Sequence, residues 1–104
     1  MKMKFVNLTP YTIIDLANGA TYPSAGVCRV PETDSEFDAN GVCTVTYGEA
    51  EGLPPPQDGV LYIVSPMVTD ALPNRHDLVY PDTTHPECIL DGRILSVPGF
   101  IRRG

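Results

Sequence analysis

The stretch VLYIVSPMVTDALPNRHDLVYP, Val60 to Pro81, decides the fold, because apolar spacing changes there from strand to helix and back. Val60 to Val64 is an unbroken run of β-branched, aliphatic and aromatic residues, the composition of a strand buried on both faces. Ser65 and Pro66 read as N-cap and first helical residue. A serine hydroxyl accepts a free backbone N–H there, and proline has no N–H to leave unpaired. Met67, Val68, Ala71 and Leu72 follow at helical spacing, enough for about two turns with one apolar stripe. Pro73 and Asn74 stop the helix. Leu78, Val79 and Tyr80 then form a short strand that Pro81 closes. This strand–helix–strand unit is expected to be the core, with Val60 to Val64, Met67, Val68, Leu72, Leu78 and Val79 mostly buried.

Outward from this unit the chain is punctuated, with 11 prolines and 9 glycines in 104 residues. Met3 to Leu8 reads as a strand, and Asn7-Leu8-Thr9-Pro10 bends the chain as a side-chain-bonded turn. Tyr11 to Leu16 and Ala20 to Tyr22 flank Asn18-Gly19, a hairpin signal because both residues tolerate positive φ. Val27 to Val30 is a further strand. Pro31 to Gly41 carries Glu32, Asp34, Glu36 and Asp38 and reads as an exposed acidic loop. Val42 to Tyr47 alternates, with Cys43, Val45 and Tyr47 on one face. Gly48 to Gly59, with three consecutive prolines, is a stiff extended connection. Cys88 to Leu90 and Arg93 to Leu95 flank the turn Asp91-Gly92, and Val97 to Ile101, broken by Pro98-Gly99, precedes the basic tail Arg102-Arg103-Gly104. The fold class is mostly β: residues 1–104 form a single small barrel-like or sandwich domain of about eight short strands with one short helix. Barrel closure is the economical way to remove exposed edges in so small a domain.

The formal charge is −6, with Asp+Glu 13 against Lys+Arg 7. Such a field repels nucleic-acid backbone, so no direct nucleic-acid partner is expected. Arg29, Arg75, Arg93, Arg102 and Arg103 can still build one local anion site. The N-terminal MKMKFVN lacks the apolar core of a signal peptide, and no apolar run approaches the ~20 residues that span a bilayer. A cytoplasmic protein with reduced cysteines and no membrane partner is therefore expected.

Asn7-Leu8-Thr9-Pro10, the run YGEAEGLP, the strand YIVS and the run RHDLVYP occur together in this order. With these motifs the chain resembles a family of small, largely uncharacterised bacteriophage and prophage proteins. The family begins near Asn-Leu-Thr-Pro-His and carries similar strand, helix and Asp-Gly hairpin segments. The resemblance covers most of the chain. It departs at Tyr11, which stands where the family has histidine, so no imidazole role is carried over there. It implies a phage or prophage source, hence the cytoplasm of a bacterial host, and no activity.

Candidate chemistry is sparse. Cys28, Cys43, Cys88, His76 and His85 are all the soft metal ligands present, and no Cys-x-x-Cys pair joins them. No metal site and no cofactor is expected. Ser65 sits at a strand-to-helix junction but lacks the Gly-x-Ser-x-Gly glycines of a nucleophile elbow, and capping accounts for it. No catalytic residue emerges, and the chain reads as non-enzymatic; a small enzyme using Cys or His is the least favoured reading. The principal expectation is a phage-type binding protein, a small oligomer that sequesters a nucleotide-like or other anionic small molecule to counter host defence. Phages encode compact proteins that soak up host immune signals. Its ligand-binding residues would be Arg75, Asp77, Ser65, Asn7, Thr9 and Tyr11, with Arg75 supplying the charge and contributing little to stability. Arg75 can instead pair with Asp77. The alternative is an acidic protein–protein inhibitor of a host enzyme, acting through Glu32, Asp34, Glu36 and Asp38.

Overall fold

The structure is a computed structural model that describes residues 3–102. Among these residues there are ten strands and one helix. One four-stranded sheet has the order β1 (Lys4–Asn7), β6 (Val60–Ile63), β7 (Leu78–Pro81), β10 (Phe100–Ile101). A second has the order β3 (Thr21–Tyr22), β2 (Thr12–Asp15), β9 (Ile94–Val97), β8 (Ile89–Asp91). Strands β4 (Glu32–Asp34) and β5 (Val45–Tyr47) form a separate two-stranded sheet. The chain visits the first sheet, then the second, returns through β6, α1 (Pro66–Ala71) and β7, crosses to β8 and β9, and ends in β10. Neither sheet is contiguous in sequence, so neither can form alone.

β6 is the centre of the molecule. It runs parallel to β1 on one side and to β7 on the other. Successive side chains of a strand point to opposite faces, and both faces of β6 are covered. Tyr62 and Val64 join Leu8, Cys28, Val30, Val68 and Leu78 in a cluster on the helix side. Leu61 and Ile63 join Ile13, Val79, Leu95 and Val97 between the two sheets. The unbroken apolar run at Val60 to Val64 is thus a buried parallel strand, as its composition predicts.

The two main sheets stack as an open sandwich and do not close into a barrel by hydrogen bonds. β1 and β10 are opposite edges of their sheet, yet the rings of Phe5 and Phe100 stack with centroids 5.3 Å apart. The sheet therefore curls toward the second sheet, and Tyr22 of β3 completes the aromatic group at 5.3 Å from Phe5.

Four local expectations are corrected. Met67 is 51% exposed, because the stripe that faces the sheet consists of Val68, Ala71 and Leu72. Ser65 is the N-cap of α1, but its hydroxyl makes no capping bond; its carbonyl accepts from Val68 and Thr69 instead. Val27 to Val30 forms only an isolated bridge, Arg29 to Glu51, although Cys28 and Val30 are buried. Pro31 to Gly41 is not all loop, since Glu32–Asp34 pairs with Val45–Tyr47. At that bridge the chain crosses so closely that Gly52, at φ +75, would place a Cβ 2.6 Å from the carbonyl oxygen of Val27. Only glycine fits there without displacing backbone.

Truncating Ile63 to Ala should cost about 2–5 kcal/mol in urea denaturation, because it opens a cavity between two sheets that cannot relax independently. Met67→Ala should cost less than about 0.5 kcal/mol by the same measurement, as expected of an exposed helical position.

Candidate functional site

The six residues expected to bind a ligand fall into separate places. β1, β6 and β7 are parallel, so Asn7 and Ser65 lie at their C-terminal ends, whereas Arg75 and Asp77 precede β7 at the opposite end. The structure does not bring the two groups together.

At the C-terminal end, Asn7, Thr9 and Tyr11 make a closed hydrogen-bonded knot. Asn7 is buried, and its Nδ2 donates to the carbonyls of Tyr11 at 2.6 Å and Tyr22 at 2.8 Å. Its Oδ1 accepts from the Thr9 N–H at 3.1 Å and the Thr9 hydroxyl at 2.7 Å. Every polar site of the amide is used by the protein itself. These residues are structural: they turn the chain from the first sheet into the second. Tyr11 takes part through its backbone, its carbonyl accepting from Asn7 and its N–H donating to the Thr9 hydroxyl.

At the other end, the Arg75 guanidinium forms a bidentate pair with Asp77, Nε to Oδ1 and Nη2 to Oδ2, both at 2.8 Å. Nη2 also donates to the carbonyl of Pro54 at 3.0 Å. The neighbouring Pro55 carbonyl accepts from the hydroxyl of Tyr62 at 3.2 Å. Arg75 and Tyr62 thus pin the proline segment against the domain, because prolines offer carbonyls and no N–H groups. The arginine hydrogen bonds hold the Asp77 carboxyl below its ordinary range, against the opposing effect of its burial. The same pairing raises the Arg75 pKa. Burial pushes the nearby Cys28 thiol up, with the positive charge of Arg75 opposing.

Beside this pair lies an open cavity of about 410 Å³, lined by Arg75, His76, Asp77, Arg102, Asp58 and Asn74 among others. His76, Arg102, Asp58 and Asn74 were not among the expected site residues. They are scattered over 45 residues of sequence, from Asp58 to Arg102, and no motif joins them. Among the described residues, no group of three or more His, Cys, Asp or Glu side chains is close enough to hold a metal ion.

The second feature is an arm. From the bridge of Arg29 with Glu51 the chain runs out through β4, turns at Asp38 to Gly41, and returns through β5. The Asp38 carboxylate closes the turn by accepting from the N–H groups of Asn40 and Val42. Every residue of β4 and β5 is exposed. Glu32 lies opposite Tyr47 and Asp34 opposite Val45, so two carboxylates and two apolar side chains share one face. Thr33 and Thr46 take the other. Phe37, near the tip, is 74% exposed. From Pro31 to Glu51 there is no lysine or arginine, against Glu32, Asp34, Glu36, Asp38, Glu49 and Glu51. The radius of gyration, 15.5 Å, exceeds the ~13 Å of a compact domain of this length, as a projecting element requires.

No protein-family model, no curated protein and no solved structure matches the chain.

Arg75→Ala should lower stability by about 1–3 kcal/mol, because it strands the Asp77 carboxylate and the Pro54 carbonyl. This replaces the expectation of a nearly silent substitution. The Asp77 pair also fixes a pH dependence. A carboxyl whose folded-state pKa is depressed adds stability above its unfolded pKa, and that stability is lost as pH falls through the folded value. The stability difference between wild type and Asp77→Asn should therefore be constant above about pH 5 and shrink on acidification below about pH 4. Urea titrations across this range measure it.

Proposed function

We propose that this is a non-catalytic, phage-type binding protein that acts through the β4–β5 arm. The arm docks on a basic, partly apolar groove of a host protein, inhibiting it in the host cytoplasm. The observation that carries this reading is the arm's one-sided face: Glu32, Asp34, Val45 and Tyr47 side by side, unsupported by the core, with Phe37 beyond them. An exposed apolar patch fringed with charge of one sign is the composition of an interface, where apolar anchors supply affinity and charge supplies steering. The phage source comes from the sequence resemblance.

A second reading keeps the small anionic ligand, favoured by the 410 Å³ cavity with Arg75, His76 and Arg102 at its rim. It is weaker, because Asp77 already neutralises Arg75 and Asp58 adds a further negative charge.

One set of variants separates the readings. Immobilised wild type, Phe37→Ser with Tyr47→Ser, the neutralised arm (Glu32→Gln, Asp34→Asn, Glu36→Gln, Asp38→Asn) and Arg75→Ala are each exposed to bacterial lysate and eluted by rising salt. Docking by the arm predicts a salt-sensitive partner retained by wild type and Arg75→Ala and lost by both arm variants. Equal retention by all four would refute it. Native mass spectrometry of the purified wild type and Arg75→Ala proteins tests the second reading, which requires a small anion on the former only.

A further inference from the structure

We propose that Asn40, at the tip of the arm, is a site of covalent self-modification. There the Asn40-Gly41 peptide closes on the asparagine side chain, releases ammonia and leaves an aspartyl or isoaspartyl residue at position 40. The reaction needs only water, and three observations carry the inference.

The first is the chemistry at the turn. The chain holds two Asn-Gly pairs, Asn18-Gly19 and Asn40-Gly41, and an alanine precedes each. A glycine after asparagine has no Cβ to shield its backbone nitrogen, and a Cβ built at Gly41 would meet nothing within 4 Å. When that nitrogen loses its proton it attacks Cγ of Asn40. The N–Cγ bond forms, the Cγ–Nδ2 bond breaks, and ammonia leaves with a proton in place of the one the nitrogen lost. Water then opens the five-membered succinimide at one or other carbonyl. Nothing is oxidised or reduced.

The second is what holds each nitrogen back. Gly41 donates its N–H to the Asp38 carbonyl at 3.0 Å, and Gly19 donates to the Asp15 carbonyl at 2.7 Å. Each turn must therefore open before its glycine reacts, and the two openings disrupt different things. Asn18 sits between β2 and β3, whose Ile13 and Tyr22 pack in the cluster between the sheets, and its Oδ1 accepts from the Ala20 N–H at 2.8 Å. Asn40 sits between β4 and β5, and no residue from 31 to 49 belongs to either core cluster. Opening the arm breaks exposed hydrogen bonds alone. Elements without buried apolar contacts open far more often than the fold as a whole.

The third is the freedom of the side chain. Asn40 is exposed, and only its backbone N–H is held, by the Asp38 carboxylate at 2.8 Å. Its amide makes no hydrogen bond among the described residues, so Cγ can turn toward the nitrogen. The product changes the arm. An isoaspartyl link routes the main chain through the side chain and adds one atom between residues 40 and 41. The Asp38 carboxylate then no longer meets the N–H groups of residues 40 and 42 at the spacing that closes the turn.

Peptide mapping by mass spectrometry of the full chain, kept folded in warm, mildly alkaline buffer, tests the proposal. The mass gained when an amide NH2 becomes OH should accumulate at residue 40 at least about tenfold faster than at residue 18. In denaturing urea the two Ala-Asn-Gly segments should react within about threefold of each other, because the fold is what distinguishes them. Asp38→Ala, which strips the turn of its carboxylate acceptor, should speed the reaction at residue 40 at least about threefold and leave residue 18 unchanged. Circular dichroism checks that this variant is folded; if it is not, the folded and unfolded wild type decide. In the isoaspartyl fraction, separated by ion exchange, the Ser35 N–H, which donates to the Thr44 carbonyl at 2.8 Å, should exchange its hydrogen at least about fivefold faster. Reaction at residue 18 as fast as at residue 40 in the folded chain, or none at residue 40, overturns the proposal. A rate at residue 40 that Asp38→Ala does not raise overturns the route through arm opening, and unchanged hydrogen exchange overturns the effect on the arm.

Discussion

The buried side chain of Asn7 is the joint on which this fold depends. β1 must leave the first sheet and the chain must enter the second within a few residues, through Leu8, Thr9 and the rigid Pro10. A turn in so tight and buried a place leaves backbone groups without partners, and each costs about 1–3 kcal/mol if unpaired. One amide resolves this. Its two donors reach carbonyls before β2 and within β3, while its oxygen takes both the N–H and the hydroxyl of Thr9. No other residue of this size offers two donors and an acceptor in one plane.

The rest of the architecture follows from that crossing. Because the chain alternates between sheets, β6 is enclosed on both faces, by α1 with the Cys28 and Val30 segment on one side and by the second sheet on the other. The proline segment before β6 is held by Tyr62 and Arg75. Arg75, the natural candidate for an anion site, is consequently occupied in holding the fold. The arm and the β8 edge lie outside this enclosure. There the chain exposes apolar groups that its own core leaves uncovered, among them Phe37, Val45, Tyr47, Ile89 and Leu90.

Much of this was legible in the sequence, and for physical reasons. The change of period at Ser65-Pro66 placed α1, and the Asn18-Gly19 and Asp91-Gly92 pairs marked two hairpins, because these signals are local; the second turns one residue later than they indicate, at Gly92-Arg93, since Asp91 pairs with Ile94. The arm was half legible. Asn40-Gly41 marked its turn and Val42 to Tyr47 showed alternation, but the acidic Glu32 to Asp34 looked like loop. Its pairing with β5 supplies no burial, so it leaves no apolar trace. Met67 was misplaced because a two-turn helix does not show from sequence which of its edges meets the sheet. The candidate site was less legible still. Arg75 looked functional because an arginine beside the central helix can supply positive charge in an acidic chain, and Asn7 was placed with it in one pocket. Three of the seven hydrogen bonds their side chains make go to backbone carbonyls distant in sequence or across a turn, which no side-chain pattern reveals.

Equilibrium urea unfolding of Asn7→Ala, followed by circular dichroism and tyrosine fluorescence, tests the central claim most directly. If the amide joins the two sheets, its loss should lower stability by about 3 kcal/mol or more while the protein still unfolds in one transition. A loss below about 1 kcal/mol would show that the crossing between the sheets is held by something else.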